Sequence, residues 1–144
     1  NLANIDMKSK KVNIKRPLYF EISETIFNRR VHVLLNATQK EWKAFTKKVG
    51  VTTDSSGVFE DAANFEAFST QIDSSDRPTQ WVIVLKNFDW TIKDQGSLIH
   101  EIVHTIVKIW KSNNIPFTPD NQEFLAHSIG NLYEDIVRKI LTFK

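Results

Sequence analysis

A chain of 144 residues with 41% hydrophobic content can bury roughly 70% of its unfolded surface around one core, and is too short for two. It contains no cysteine, which excludes disulfides and thiolate metal sites together and leaves histidine and carboxylate as the metal ligands on offer. The net charge is only +2, and no apolar run reaches the roughly 18 residues that a membrane helix needs, so a soluble, cytoplasmic protein without a membrane partner is expected.

That small net charge hides an asymmetry. Residues 1–50 carry 11 Lys and Arg against 4 acids, and residues 51–144 carry 8 against 13. Lys8, Lys10, Lys11, Lys15 and Arg16 read as a basic N-terminal arm over residues 1–16, and Lys40, Lys43, Lys47 and Lys48 as a solvated helix face. Nucleic acid is therefore not the expected partner, although a basic first third keeps it as a third reading.

In chain order, Pro17 to Ser23 and Val31 to Asn36 are rich in aromatic and branched residues and predict strands. Thr38 is followed three residues later by Glu41, a capping box for a helix that runs to Val49 and closes at Gly50. Small polar residues make 51–63 a loop. Two strands follow, Asn64 to Ile72 and Gln80 to Asn87, around a turn at Ser74–Pro78.

From Gln95 to Ser112 the residues fall on two sides of a helix when placed at 100° intervals, with Asp94 as its N-cap. Leu98, Ile99, Ile102, Val103, Ile106, Val107, Ile109 and Trp110 form the apolar arc. Ser97, His100, Glu101, His104, Thr105, Lys108 and Lys111 form the polar one. Thr118 and Pro119 then signal the start of a second helix, ending about Leu141. Its polar side holds Glu123, His127, Asn131 and Glu134, and Gly130 on that side suggests a close helix approach.

His100, Glu101 and His104 spell H-E-x-x-H. Positions four apart on a helix share a face, so both imidazoles can reach one ion at roughly 2.0–2.1 Å, while the glutamate between them can reach a water without ligating the metal. A catalytic zinc takes three protein ligands and keeps one position for water. Glu123 opens the second helix after 18 intervening residues, room for the first helix to finish and the chain to return.

The stretches LIHEIVHTI (Leu98 to Ile106) and NQEFLAHSIG (Asn121 to Gly130) resemble the gluzincin branch of the zincin metallopeptidases. They are also similar to short zincin-like proteins of bacteriophage and prophage genomes, in which E-x-x-A-[YH]-x-x-G recurs; Glu123, Ala126, His127 and Gly130 fill those places. The resemblance covers about residues 95–135. It implies an α+β, single-domain zincin-like fold over 17–144, with a small mixed or antiparallel sheet packed on the motif helix and a long C-terminal helix. It further implies Zn²⁺ held by His100, His104 and Glu123, Glu101 as general base, a peptide or protein substrate, and Trp81 to Leu85 as the edge strand that aligns it. For a phage-encoded protein the compartment would be the host cytoplasm.

One position departs from the family pattern. Gluzincins carry an acid four residues after the glutamate ligand, and this chain has His127. Three roles stay open for it: donor to the transition state, which stands first, partner to another ligand, or ligand itself. The alternative to an enzyme is a non-catalytic binding protein on the same scaffold. His32, within a hydrophobic strand, is expected to be a structural or surface residue, and the four tryptophans to belong to the core.

Overall fold

Alternation sets the first hairpin. Along β1 (Leu18–Glu24), Leu18 and Phe20 turn inward while Tyr19 and Glu21 turn out, the period-two signature of a half-buried strand. Glu24 ends the strand with its carboxylate accepting the amides of Ile26 and Phe27 at 2.9 and 2.8 Å, which fixes the turn into β2 (Arg29–Leu35). The computed structural model describes residues 14, 16–51, 66–74 and 77–143.

After β2 comes α1 (Gln39–Val49), whose capping box at Thr38 and Glu41 and left-handed Gly50 are both found. β3 (Ala67–Ser74) and β4 (Arg77–Leu85) form a second hairpin. The sheet order is β1-β2-β4-β3: the two hairpins are antiparallel within themselves and joined by parallel pairing of β2 with β4. The expected α+β class with a small mixed sheet is thus found. β4 begins at Arg77 and takes in Pro78, which had been assigned to a turn. Pro78 lies beyond the stretch of β4 that pairs with β2, where a missing amide is tolerated.

The sheet buries both faces. Val31, Val33 and Leu35 of β2 join Trp81, Ile83 and Leu85 of β4 in one core, closed by α2 (Ile92–Ser112) and α3 (Gln122–Leu141). Leu34, Val82 and Val84 form the other, under Trp42, Phe45 and Val49 of α1. α2 lies over β4 and β3, and α3 over β1. The lysines of α1 at 40, 43, 47 and 48 are exposed, as a solvated face requires.

Several expectations need correction. Trp81 to Leu85 is not an edge strand: it is paired on both sides and buried on both faces, and the outer strand on that side is β3. α2 begins at Ile92 with Thr91 as its cap, and Asp94 is the reciprocal acid three residues on. The first turn after Thr118 is a 3₁₀ turn, Pro119–Asn121, with no side-chain cap from Thr118. Ile14, within the stretch read as a basic arm, is buried in the α2/α3 core, and Asn36 Nδ2 donates to its carbonyl at 2.8 Å. Residues 1–13 and 15 of the arm, the loop expected over 51–63 apart from Val51, and residues 64–65 of the expected third strand lie outside the described residues. Among the described residues, no helix is long and apolar enough to cross a membrane.

Under α1 lies a polar chain in the apolar layer. His32, 1% exposed, faces Gln80 Oε1 at 2.5 Å through Nε2 and Tyr19 Oη at 2.9 Å through Nδ1. Gln80 Oε1 can only accept, so Nε2 carries the hydrogen; Nδ1 of the neutral ring accepts the Tyr19 hydroxyl, and the Glu21 carboxylate 3.9 Å from Nδ1 pulls toward the protonated form. Burial, the dominant cause, holds the His32 pKa below its ordinary value.

Two outcomes follow from this packing. Ile136→Ala, at a fully buried position of α3, should lower stability by about 2–5 kcal/mol in urea unfolding with an unchanged m-value. His32 binds its proton more readily unfolded than folded, so its contribution to stability is complete above the ordinary value of about 6.5 and is lost as pH falls below it. Melting temperature should therefore drop between pH 7 and pH 5, and the drop should be smaller in His32→Gln.

Candidate metal centre and cleft

α2 is positioned before its chemistry begins. Asp94 Oδ2 accepts the amides of Asp89 and Thr91 at 2.8 and 3.1 Å, and Thr91 Oγ1 accepts the amide of Asp94 at 3.1 Å, so the free end of the helix is satisfied reciprocally. These bonds hold the Asp94 carboxyl below its usual range despite partial desolvation, its largest single influence. Leu98, Ile102, Ile106 and Ile109 are then locked into the core. With that stripe fixed, the direction of every other side chain on the helix is set.

His100 and His104 both point outward, with their Nε2 atoms 3.0 Å apart and their rings at 75°. Two nitrogens bound to one tetrahedral ion at about 2.0–2.1 Å would stand roughly 3.3 Å apart, so the pair fits one metal with little adjustment. The same spacing also suits a hydrogen bond from one neutral ring to the other. Glu101, which follows His100 on the helix, is only 7% exposed. Its carboxylate has no hydrogen-bond or ion-pair partner among the described residues, while its backbone carbonyl accepts Thr105 Oγ1 at 2.8 Å. Glu101 and Thr105 had been placed on the polar arc; they are buried because α2 also leans on β3.

A cleft of ≈ 560 Å³ runs between the first half of α2 and the start of β3. His100, Glu101 and Ser97 line one side, and Glu66, ion-paired to Lys93 at 2.7 Å, lines the other. Further along α2, Lys108 Nζ donates to the carbonyl of Ser69 on the outer strand at 3.1 Å. The most apolar concavity lies elsewhere, between β1 and α1, lined by Tyr19, Leu34, Phe45 and Lys48; no motif residue reaches it.

Glu123 and His127 sit together on α3, with Oε2 and Nε2 3.8 Å apart and side chains 81% and 75% exposed. They do not meet His100 and His104: among the described residues, no three His, Asp or Glu side chains are grouped to hold one ion. The length of α2 explains the separation. It continues from His104 to Ser112, an axial rise of about 12 Å, before the chain turns back, and Glu123 lies in the first turn of the returning helix. Glu134 pairs with Arg138 at 2.5 Å and takes no part.

No protein-family model matches the chain, and no curated protein or solved structure is significantly similar to it. Its likeness to zincins therefore rests on the residues of the motif.

Gly130 gives no close helix approach. It is exposed, and a Cβ built there meets nothing within 4 Å. Gly130→Ala should accordingly stabilise the chain by about 0.5–1 kcal/mol, through helix propensity alone, and raise its melting temperature.

Proposed function

We infer that this chain is a metal-dependent hydrolase acting on peptide bonds, with His100 and His104 as ligands and Glu101 as general base. The observation that carries the reading is the 3.0 Å approach of the two Nε2 atoms, with Glu101, whose side chain has no partner among the described residues, lining the same cleft as His100. Zinc, when bound, would supply polarisation of the carbonyl and a water acidified towards a pKa of about 7.

The chain's own residues do the rest. Both histidines would hold the metal through Nε2, on a helix whose buried stripe fixes the face that carries them. Glu101 takes a proton from the attacking water and returns it to the leaving amine. Glu123 is the expected third ligand and His127 the expected donor to the developing oxyanion, although within the described residues of one chain they do not reach the histidine pair.

An extended peptide would align along the outer edge of β3, which flanks the cleft and is not paired to another described strand, and would displace Lys108 Nζ from the Ser69 carbonyl as it docks. A cytoplasmic peptide or protein substrate accords with this chemistry.

Glu101→Gln should leave bound zinc unchanged and reduce hydrolysis of a broad peptide mixture by about 10²–10⁴-fold, measured by elemental analysis and product detection on the same sample. His100→Ala should lose metal and hydrolysis together. Full activity in Glu101→Gln would remove Glu101 as the base. Zinc without turnover in the unaltered chain would favour a binding protein on the same scaffold.

A further inference from the structure

α2 and α3 cover the same face of the sheet, so the side chains they expose share the outer surface of one helical layer. On α2 that surface carries His100 and His104; on α3 it carries Glu123 and His127. Each couple is spaced four residues apart and offers two metal-ligating groups, where a zinc site takes three or four from protein. Within the described residues of one chain the couples do not combine.

We propose that a second copy of this chain completes the site. In a two-fold dimer the outer helical surfaces meet, and Glu123 of each copy becomes the third ligand of the ion held by His100 and His104 of the other. This rests on the metal-binding reading of His100 and His104 given above. A two-fold contact is self-complementary, so bringing Glu123 to the histidine pair once brings it there twice, and two equivalent sites form. The 81% exposure of Glu123 leaves its carboxylate free to reach across.

The same surface displays apolar side chains that the fold leaves uncovered. Ile99 and Val103 flank the histidines on α2, and Phe124, 64% exposed, adjoins Glu123 on α3. Their burial would favour the contact at about 25 cal/mol per Å². Area alone is modest. Two helices about 30 Å long with axes 8–10 Å apart offer an outer surface of about 600 Å² per copy. The resulting total of about 1,200 Å² is at the lower limit for a stable complex. The dimer is therefore metal-dependent, with shared coordination supplying what area does not.

Light scattering or sedimentation of the full chain, stripped of metal and then titrated with zinc chloride, measures this directly. A monomer should double in mass as zinc approaches one equivalent per chain. His100→Ala and Glu123→Ala should each remain monomeric with zinc, with circular dichroism confirming that both are folded. Mixed in equal amounts they should form a heterodimer, because the histidines of one and the glutamate of the other restore one complete site.

A monomer that binds one zinc through His100 would overturn the dimer and leave the metal reading standing. So would a dimer that forms equally without zinc or in the Glu123→Ala chain. A chain that binds no zinc would overturn both.

Discussion

The parallel pairing of Val31–Leu35 with Trp81–Leu85 is the constraint on which the architecture depends. Parallel neighbours cannot be joined by a tight turn, so after β2 the chain leaves the sheet through α1, re-enters it at the margin as β3 and turns back as β4. Both strands are buried on both faces, which obliges the protein to cover each side. α1 covers one. The helical pair α2 and α3 covers the other, and the H-E-x-x-H residues inherit their position from that duty.

α2 serves two purposes without conflict because a helix separates them by angle. Its inner stripe is core, and its outer stripe holds the imidazoles in a fixed relation that a loop would leave open. Asn36 secures the connection that aims it. With φ at +56°, it accepts the amide of Phe88 at 2.7 Å and donates to the Phe88 and Ile14 carbonyls, tying the ends of β2 and β4 to a third segment. Asparagine adopts that backbone conformation more readily than branched residues, and its short amide is what makes the three bonds.

Local rules were largely legible in the sequence, because they depend on neighbours in the chain. The Thr38–Glu41 box, the Gly50 stop and the apolar stripe of α2 all stand where spacing puts them. The Thr91–Asp94 box follows the same rule and was readable, although the acid alone was taken for the cap. The centrality of β4 was also signalled, since WVIVL has no polar alternation and an unbroken apolar run belongs to a strand covered on both faces. What periodicity could not give is where one element meets another. Glu101 and Thr105 are polar by type and buried by contact with β3, and Glu123 lies at the right separation in sequence but beyond two further turns of α2. His32, for which the sequence left a structural and a surface place open, is buried in a chain of hydrogen bonds that only the register of three strands assembles.

The bond from Lys108 to Ser69 has a consequence for the protein at high concentration. Among the described residues the mixed sheet does not close, and each of its two margins invites a strand from another molecule. On the β3 margin, an ammonium group satisfies an outward carbonyl and places a charge where an incoming backbone would lie. Such a guard resists fibril-like stacking of chain on chain, because every added copy would have to displace a cation. A proline or a bulge would close that margin permanently; a lysine on a flexible stem can swing aside and return.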